Sequence, residues 1–497
     1  MHKPSTPIYL SKDIRKLEQA VPGGSLMAKA GLALATLAEE LASDDANPIL
    51  IIAGPGNNGG DALVAARLLK DKWHRVIVVL AADPSKLPAD AADAYEAWMN
   101  AGGDCVDRIP ANTHFSLAID GLFGIGLRRP LEGCHAELVL ELNQMGCPVL
   151  SVDIPSGLDA DTGHIHGCAV QADYTLTFLA AKPGLYTLNG PDHAGTIVIS
   201  DLGISASEII YPTGWLLEEP MFRPALPPRL QNSHKGLFGN VAVIGGSEGM
   251  TGAALLAGRA ALLAGGGRVY VGSLAEASLL VDPIHPELML RHAHSLHEEI
   301  EASCAVIGPG LGRTPQAIKI LKAWLLQPVP LVLDADALQL IGIDAELKTM
   351  LQQRTPPSVM TPHPGEAAAL SGLSNEMVQR DRVICATKLA CEFDATILLK
   401  GAGTIIAEPD GSWYINTSGN PGLSSAGTGD VLAGMIGAFI AQGVPVNEAA
   451  KLGAYLHGLA ADALVAHGTG PVGLTASEIA LKVRTLINQS AKLQSGH

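Results

Sequence analysis

The sequence predicts an α/β protein of two domains, each built on a mostly parallel β-sheet between layers of helices. Three observations carry this prediction. Apolar runs of strand length alternate with helical stretches, glycines cluster where the strands end, and a proline-rich polar stretch divides the series. Strands that alternate with helices favour a parallel sheet covered on both faces. The 497 residues include 55 glycines and only 4% aromatics, which suits aliphatic cores joined by tight turns.

The first series predicts a Rossmann-like three-layer αβα sandwich over residues 1–215. Apolar spacing is helical from Ser11 to Glu40, and the run ILIIA that follows predicts a buried strand ending in GPGNNGGD. Helical and strand patterns then alternate through DALVAARLLKD, RVIVVLAAD, the stretch around Asp90 to Asn100, and LAIDGLFG. Two more strands are expected in CPVLSVDIPSG and ADYTLTFLAAKPG, each closed by a turn of proline and glycine.

The second series predicts another αβα domain over residues 230–497, after a linker at 216–229 where prolines and polar residues break the periodicity. Strands are expected at NVAVIGGS, CAVIGPG, PLVLDADA, SVMTPHPGE and ATILLKG, with a small-residue helix from Gly252 to Leu263. The two β-rich runs around the D-G turn of TIIAEPDGSWYIN predict an antiparallel hairpin at the sheet edge. GLSSAGTGD then opens a long helix of small residues.

Charge and cysteine content narrow the class of partner. With 33 basic and 49 acidic residues the net charge is −16, so the surface should repel nucleic acid. Phosphate-bearing ligands must therefore be bound by local groups such as backbone amides, helix N-termini and a few cationic side chains. The seven cysteines form no C-x-x-C pair, which argues for a reducing compartment. No signal peptide or apolar span long enough for a bilayer is evident, so we expect a cytoplasmic protein without membrane contact. We also expect a homo-oligomer.

The loop Gly54-Pro-Gly-Asn-Asn-Gly-Gly-Asp61 lies between a predicted strand and a predicted helix, where backbone amides and the helix dipole favour an anion. It matches G-x-G-x-x-G, and Asp83 after the next strand gives a nicotinamide-dependent dehydrogenase as an alternative. A tight turn would also explain the glycines. It would not explain the paired asparagines and the aspartate.

Polar residues follow three strands of the same predicted sheet. Asp120 precedes Gly-Leu-Phe-Gly124-Ile-Gly126, and Asp153 precedes Ile-Pro-Ser156-Gly. Since ligands collect outside the carboxyl ends of parallel strands, these residues and Asn58 are expected to meet in one crevice. Their hard oxygens suit an alkali or alkaline-earth cation, or a hydroxylated substrate. Each aspartate could instead cap a helix or turn.

In the second half, Ala426-Gly427-Thr428-Gly429-Asp430 precedes the helix VLAGMIGAFIA. Free amides at the start of that helix can receive a phosphate while the Asp430 carboxylate reaches a substrate hydroxyl, an arrangement that suits phosphoryl transfer. No G-x-x-x-x-G-K-[ST] sequence occurs in the chain. The alternative is that Asp430 only caps the helix.

GNNGGD, D-G-L-F-G-x-G-L and D-I-P-S-G, in this order, resemble the NAD(P)H-hydrate epimerase domain over about the first 210 residues. The resemblance implies that Asp153 contacts the substrate and that Asn58, Asp120 and Ser156 hold K⁺. It implies hydrated-dinucleotide contacts at Asn57, Asn58, Gly59, Gly60, Asp61, Gly124, Ile125, Gly126, Leu127, Arg128, Arg129 and Pro130. Ile125 stands where threonine is usual, and Ala62 where glycine is usual. Asp153 is also the expected catalytic carboxylate at C6 of the hydrated ring.

TGAALLAGRAAL, GPGLG, LDADAL, TPHPGE, KGAGT and GNPGLSSAGTGD resemble the NAD(P)H-hydrate dehydratase family, with a ribokinase-like fold, over about residues 230–485. The resemblance implies hydrate contacts at Ala253, Gly310, His363 and Asp430, and nucleotide contacts at Lys400, Gly401, Ala402, Gly403, Thr404 and Gly429. ADP is the implied co-substrate, with Mg²⁺ on its phosphates. Asp430 is expected to take the hydroxyl proton, and His363 to bind or shape a loop rather than to act as an acid or base.

Together the two resemblances imply a bifunctional enzyme that repairs NADHX and NADPHX. One half would epimerise the R and S hydrates, and the other would dehydrate the S form at the expense of ADP, giving AMP and phosphate. A small-molecule kinase, for a sugar or a vitamin, with an appended dinucleotide-binding domain is the alternative. A dehydrogenase or a non-catalytic dinucleotide-binding regulator would each explain only part of the chain.

Overall fold

The computed structural model describes residues 5–20, 26–42, 47–219, 226, 229–276 and 280–495. The chain forms two compact units, divided between Gly214 and Trp215. Much of the predicted linker, residues 220–225 and 227–228, lies outside the described residues. Leu217, which lies inside the predicted linker, is buried in the core of the C-terminal unit. Within the described ranges, no helix combines the length and apolarity needed to cross a bilayer.

The N-terminal unit contains a seven-stranded parallel sheet in the order β4-β3-β2-β5-β6-β7-β8. Its elements are β1 (Pro7–Ile8), α1 (Ser11–Ala20), α2 (Leu26–Leu41), β2 (Ile49–Ala53), α3 (Asn57–Asp71), β3 (Val76–Leu80), α4 (Ala89–Asn100), β4 (Cys105–Val106), β5 (Leu117–Gly121), α5 (Gly133–Leu142), β6 (Val149–Val152), β7 (Tyr174–Phe178), α6 (Gly190–His193), β8 (Thr196–Ser200) and α7 (Ala206–Ile209). Strand β9 (Gly214–Leu216) begins at the division and belongs to the sheet of the C-terminal unit. The predicted strands from ILIIA to ADYTLTFLA are all confirmed, whereas β4 and β8 were not predicted.

Strand β2 shows why this sheet has helices on both faces. Ile49, Ile51 and Ala53 belong to one apolar cluster, and Leu50 and Ile52 belong to another. Successive side chains of a strand point to opposite faces, so an unbroken aliphatic run needs an apolar layer on each side. The sandwich predicted from the sequence is therefore confirmed.

The C-terminal unit is built on a sheet in the order β9-β18-β17-β16-β15-β14-β13-β10-β11-β12. Its elements after β9 are β10 (Asn240–Gly245), α8 (Thr251–Leu263), β11 (Arg268–Ser273), β12 (Met289–His292), α9 (Leu296–Glu299), β13 (Cys304–Ile307), α10 (Pro315–Leu325), β14 (Leu331–Leu333), α11 (Asp336–Ile343), α12 (Ala345–Gln352), β15 (Ser358–Met360), α13 (Pro364–Ser371), α14 (Asn375–Arg380), α15 (Arg382–Phe393), β16 (Thr396–Leu399), β17 (Thr404–Ala407), β18 (Trp413–Asn416), α16 (Thr428–Ala441), α17 (Val446–Ala466) and α18 (Ala476–Ser495). Strands β10 to β16 pair in parallel with one another.

The predicted hairpin is present, because β17 pairs antiparallel with both β16 and β18. It does not end the sheet, however, since β9 lies beside β18 and the Leu217 N–H donates to the Ile415 carbonyl at 2.9 Å. The sequence-based placement of the hairpin at the sheet edge was therefore wrong. Strand β9 has only three residues, too few to show a strand periodicity in the sequence, so the extra pairing could not be predicted.

Small residues explain how closely α16 and α8 approach. A Cβ atom at Gly434 would lie 2.0 Å from the backbone oxygen of Ala257, so only glycine fits there. Both helices are rich in alanine and glycine along the facing surfaces. This contact fixes the start of α16, where the candidate site of the C-terminal unit lies.

Candidate active sites

Asp120 and Ser156 meet at the carboxyl edge of the N-terminal sheet. The Asp120 side chain is fully buried. Its Oδ1 accepts a hydrogen bond from Ser156 Oγ at 2.6 Å, and its Oδ2 accepts bonds from Ser156 N at 2.8 Å and Ser151 Oγ at 2.9 Å. Burial raises the pKa of the Asp120 carboxyl, and these hydrogen bonds offset part of the rise. No cationic side chain of the described residues pairs with Asp120.

Asn58 joins this group from the first turn of α3. Its Nδ2 donates to the Val152 carbonyl at 2.8 Å, which ties α3 to the end of β6. A Cβ atom on Gly124 would lie 2.7 Å from Asn58 Oδ1, so this loop glycine passes directly over the amide oxygen. Phe123, the residue before it, donates its N–H to Ser156 Oγ at 2.9 Å. Asn58, Asp120 and Ser156 therefore lie around the loop that starts at Leu122.

Asp153 follows β6 with a φ of 64°, a conformation that costs energy in a non-glycine residue and often marks a functional position. Its Oδ1 accepts hydrogen bonds from Lys182 Nζ at 2.5 Å, Thr177 Oγ1 at 3.2 Å and Phe178 N at 3.2 Å. Lys182 is completely buried, and its ammonium also donates to Thr177 Oγ1 and to the Phe178 carbonyl. This buried lysine was not singled out in the sequence.

A cavity of about 470 Å³ lies over these residues. Of the predicted substrate-binding residues, those that line it are Asn57, Asn58, Asp61, Gly124, Ile125, Gly126, Leu127 and Asp153. Gly59 and Gly60 are buried beneath it, and a Cβ atom on Gly59 would lie 2.1 Å from the Gly54 carbonyl oxygen. Arg128, Arg129 and Pro130 are exposed and do not line the cavity.

Two further acidic groups line the cavity. Burial, with the negative charges of Asp153 and Glu18, raises the pKa of the Asp61 carboxyl well above its usual value. Burial also raises the pKa of the Glu18 carboxyl, and Asp153 adds to the rise. Arg15 lies on the same wall and donates to the Ile125 carbonyl at 3.4 Å. The cavity therefore holds three carboxyls, of which only Asp153 has a lysine hydrogen-bonded to it.

In the C-terminal unit, Asp430 lies in the first turn of α16. The N-cap residue Gly427 is in the left-handed region with a φ of 87°, which positions the turn that leads into the helix. Burial and the charge of Asp334 raise the pKa of the Asp430 carboxyl to about 7, although Lys400 opposes the rise. A carboxyl with a pKa near neutrality is suited to accept a proton from a hydroxyl.

Lys400 connects Asp430 with two further acidic residues. Its Nζ lies 2.8 Å from Asp334 Oδ1 and 3.8 Å from Glu366 Oε2. A Cβ atom on Gly429 would lie 3.3 Å from the same Nζ, so the lysine reaches the start of α16. Burial alone would lower the pKa of Lys400, but Asp334 and Glu366 outweigh it and raise the pKa. The lysine is thus a fixed positive charge at this helix terminus.

Asp334 and Glu366 are functional candidates that sequence reasoning missed. Asp334 is 1% exposed and accepts a second bond from Thr361 Oγ1 at 2.8 Å. Burial raises the pKa of Glu366 to about 7, with Lys400 lowering it and Asp334 raising it. Asp334 lies in the motif LDADAL and Glu366 in TPHPGE. The position of these motifs at the ends of β14 and β15 is the signal by which the sequence could have identified both residues.

The predicted nucleotide loop Lys400–Thr404 is held from within the unit. Arg382, which is 2% exposed, donates to the Leu399 carbonyl at 3.1 Å and to the Ala402 carbonyl. Gly401 has a φ of 145°, and a Cβ atom there would lie 2.7 Å from the Arg382 guanidinium. Gly401 and Ala402 are themselves exposed. The loop is therefore accessible to a ligand on one side and anchored on the other.

Two of the predicted hydrate-binding residues are neighbours, and a third caps a helix. A Cβ atom on Gly310 would lie 3.3 Å from that of Ala253, so these two residues are neighbours. His363 is the N-cap of α13, where its Nδ1 accepts from the Gly365 and Glu366 N–H groups at 3.0 and 3.2 Å. Burial and Lys400 lower the pKa of His363, which favours the neutral ring. This geometry agrees with a loop-shaping role.

No three histidine, cysteine, aspartate or glutamate side chains of the described residues form a metal-binding group. A site for K⁺ would instead use the mixed oxygens of Asn58, Asp120 and Ser156. The buried, unpaired carboxylate of Asp120 fits such a cation, because a neighbouring positive charge would offset its burial. Mg²⁺ usually keeps several waters and binds through one or two carboxylates and substrate phosphates, so a dedicated cage is not required.

The chain has the features of a two-domain α/β enzyme. One αβα unit has a polar cavity at its sheet edge, and the other has a lysine and carboxylates around the start of a helix. Residues 23–184 match the family described as YjeF-related protein N-terminus, and residues 241–483 match NAD(P)H-hydrate dehydratase. The chain belongs to the family of bifunctional NAD(P)H-hydrate repair enzymes.

Relatives of full length support this assignment. The bifunctional NAD(P)H-hydrate repair enzyme of Coxiella burnetii is 37% identical over 97% of this chain and 100% of its own. The Escherichia coli K12 enzyme is 37% identical over 97% of this chain and 94% of its own. Among solved structures, a ribokinase-like superfamily protein from Enterococcus faecalis is 29% identical, with a TM-score of 0.50 over 57% of this chain and 98% of that one. The ribokinase-like fold predicted for the second half is confirmed.

Proposed function

We propose that this protein repairs hydrated NADH and NADPH in two steps. The N-terminal unit interconverts the R and S epimers of the hydrate, and the C-terminal unit converts the S epimer to NADH or NADPH. The second step uses ADP and releases AMP and phosphate. The observation that carries the proposal is the Asp430 carboxyl, with a pKa of about 7, beside Lys400 at the start of α16. We place the two activities in residues 1–215 and 230–497, joined by 216–229.

The dehydratase step needs a better leaving group than hydroxide. Asp430, in its ionised form, takes the proton of the ring hydroxyl while that oxygen accepts phosphate from the nucleotide. Loss of phosphate from C6, with the C5 proton passing to solvent, then restores the dihydropyridine ring. Ala253, Gly310 and His363 are proposed to contact the hydrate, and Gly429 to offer its backbone to the transferred group.

The nucleotide is proposed to bind along Lys400, Gly401, Ala402, Gly403 and Thr404. Lys400 supplies positive charge to the phosphates. Asp334, 2.8 Å from its Nζ, fixes the position of that charge. Glu366 and Asp334, which lie beside Lys400, would hold Mg²⁺ when it is bound, and the ion would offset the negative charge of the nucleotide phosphates. The protein's own part is to align the phosphate with the hydroxyl next to Asp430.

The epimerase step is proposed to occur in the 470 Å³ cavity of the N-terminal unit. Asp153 contacts the C6 position of the hydrated ring, and the residues of the loops Asn57–Asp61 and Gly124–Pro130 bind the dinucleotide. When bound at Asn58, Asp120 and Ser156, K⁺ would place positive charge under these loops. An Asp153→Ala protein that folds and still epimerises at the normal rate would remove Asp153 from this role.

The first experiment follows the absorbance of reduced nicotinamide when the protein meets mixed hydrate epimers with ADP or with ATP. Wild type is expected to recover the absorbance completely with ADP, and Asp430→Ala to lose the recovery. Asp410→Ala, in the exposed turn of the β17–β18 hairpin, is the matched control and should behave as wild type. Recovery of only half of a mixture would mean that the second step works without epimerisation.

A small-molecule kinase is the second candidate, since the Enterococcus neighbour is described only as ribokinase-like. Transfer of the terminal phosphate of ATP to a sugar or vitamin alcohol, without recovery of NADH from its hydrate, would favour that function. We further propose a cytoplasmic homo-oligomer, in keeping with seven free thiols. Light scattering on the purified protein tests the assembly.

A further inference from the structure

The carboxyl groups in the cavity of the N-terminal unit differ in their charge partners. Asp153 has the Lys182 ammonium 2.5 Å away, inside the fold and without solvent contact. Asp61 lines the same cavity and forms no ion pair with the residues that the structure describes. An adjacent cation favours the ionised form of a carboxyl, whereas burial beside other negative charges favours the protonated form. Asp153 therefore has a cation hydrogen-bonded to it, whereas Asp61 is buried beside negative charges without one.

The hydrogen bonds of Asp153 leave one of its oxygens available. Lys182 Nζ, Thr177 Oγ1 and Phe178 N all donate to Oδ1. Within the described part of the chain, Oδ2 accepts no hydrogen bond, and the residue is 8% exposed at the cavity wall. The left-handed backbone at Asp153, with its φ of 64°, fixes this orientation. A carboxylate held through one oxygen presents the other to a ligand.

Lys182 is itself fully engaged. Its three N–H donors reach Asp153 Oδ1, Thr177 Oγ1 at 2.8 Å and the Phe178 carbonyl at 2.7 Å. No donor is left to bind substrate, so the lysine acts on the reaction through Asp153. The other charged groups on the cavity wall are Glu18 and Arg15 from α1, and Arg15 is directed to the Ile125 carbonyl.

We propose that Asp153 and Asp61 act as a base and an acid on the hydrated nicotinamide ring, and that Lys182 is the positioning residue that holds Asp153 through Oδ1 and turns Oδ2 to the ring. This inference rests on the proposed epimerase function and assigns its proton transfers. Pairs of titratable groups whose surroundings drive them to opposite protonation states are a recurrent way of dividing acid and base roles.

The assignment gives a balanced route for inverting C6. Asp153 takes the proton of the C6 hydroxyl, and C6–O becomes a carbonyl as the C6–N1 bond breaks. The electron pair of that bond goes to N1, which receives the proton of Asp61. Rotation about C5–C6 turns the planar aldehyde. The reverse steps then close the ring on the other face: N1 returns its proton to Asp61 and attacks the carbonyl, and Asp153 returns the hydroxyl proton. No oxidant or reductant is involved.

The test measures epimerisation of a single purified epimer by chromatography, over a range of pH, with the full-length protein and no nucleotide, so that the dehydratase is silent. The variants are Asp61→Asn and Lys182→Met. The matched control is Asp71→Asn, which removes an exposed carboxyl from the same helix α3, where its one ion pair with the described residues is to Arg67. The uncatalysed rate is subtracted, and thermal unfolding of each variant is recorded.

Asp61→Asn is expected to lower kcat by about 10²- to 10⁴-fold with KM within a few fold, because the amide fills the same space without a proton to give. The fall in wild-type activity at high pH should disappear in this variant. Lys182→Met should lower kcat at least tenfold with KM within a few fold, because Asp153 Oδ1 loses the donor that orients the carboxylate. A lysine with only a structural role would lower stability and leave kcat of the folded protein unchanged.

Should Lys182→Met fail to fold, Thr177→Val serves instead, because it removes one bond to each partner and leaves both charges. It should lower kcat by a smaller factor, with KM again within a few fold. Wild-type epimerisation with Asp61→Asn retaining kcat within threefold would overturn the inference and leave the proposed function intact. A wild-type protein that is no faster than the uncatalysed reaction would overturn the epimerase function, and the inference with it.

Discussion

Gly124 passes so close to Asn58 that a Cβ atom on the glycine would lie 2.7 Å from the amide oxygen Oδ1. The other end of the same amide is fixed, since Nδ2 donates to the Val152 carbonyl. The amide oxygen therefore has its position set from two sides, by a hydrogen bond and by the absence of a side chain. This is one of the three oxygens proposed to hold K⁺.

Gly124→Ala is expected to displace the Asn58 oxygen and to weaken activation of the epimerase by K⁺ at least tenfold in the K⁺ concentration required. Gly126→Ala is the control in the same loop, because no atom lies within 4 Å of its added Cβ. The measurement is epimerisation rate against K⁺ concentration, at ionic strength kept constant with tetramethylammonium. Equal K⁺ curves for the two variants would count against Asn58 as a ligand.

The dehydratase rate is expected to fall below a pH of about 7, because Asp430 must be ionised to accept the hydroxyl proton and its pKa is about 7. Lys400 stays protonated across this range, since its acidic neighbours raise its pKa. The profile of kcat/KM for the S hydrate at saturating ADP gives the measurement. A rate that stays flat down to a pH of about 5 would mean that a group with an ordinary carboxyl pKa acts as the base.

Asp430→Asn is expected to stabilise the C-terminal unit at pH 8 while it abolishes dehydration. The folded state raises the pKa of this carboxyl from 3.8 to about 7, so it binds the proton more tightly than the unfolded state does. Its contribution to the free energy of unfolding is thus favourable below the usual pKa and is lost as the pH rises through about 7.

The expected gain is on the order of 1 kcal/mol at pH 8, with no gain at pH 4. Denaturant melts at the two pH values measure it. Asp410→Asn provides the opposite sign, because hydrogen bonds from Ser412 lower the pKa of Asp410 and its removal should not stabilise the protein at pH 8. A loss of stability in Asp430→Asn at pH 8 would contradict the argument.

Gly429→Ala and Gly434→Ala, in the same helix, should have opposite effects. The first Cβ would lie 3.3 Å from Lys400 Nζ and 3.9 Å from Asp334 Oδ2, both side-chain atoms, so the fold should persist while the KM for nucleotide rises at least tenfold. The second meets the Ala257 backbone oxygen at 2.0 Å and should cost about 1–3 kcal/mol or more through overpacking. Thermal unfolding and nucleotide kinetics separate the two. The reasoning fails if Gly429→Ala melts as early as Gly434→Ala.

The sequence carried far in the N-terminal unit because its site is built from strand ends. The apolar runs predicted the ends of β2, β5 and β6. Because parallel strands end at the same edge of a sheet, the topology alone predicted that Asp120 and Ser156 lie close together. Lys182 could not be found in this way. It lies after β7 in a loop, and only tertiary packing decides whether such a lysine points to solvent or inward to Asp153.

In the C-terminal unit the limit was the same. The motif identified Lys400, but a lysine at a strand end is ordinarily exposed and unpaired. Its ion pair with Asp334 argues against that interpretation, and Asp334 lies 66 residues earlier in the chain. The position of the hairpin was mispredicted for a related reason: β9 has only three residues, too few for periodicity to show. Elements that depend on long-range pairing left no local pattern.

Glu366 belongs to two structures at once. Its Oε2 accepts the His363 N–H at 2.7 Å in the capping box of α13, and the same oxygen lies 3.8 Å from Lys400. The cap that holds the first turn of α13 closed is therefore also a counter-charge of the lysine proposed to meet the nucleotide. A ligand that moves Lys400 changes the charge beside Glu366 and so the stability of that first turn. Amide hydrogen exchange at the start of α13 should therefore change when the nucleotide loop is occupied.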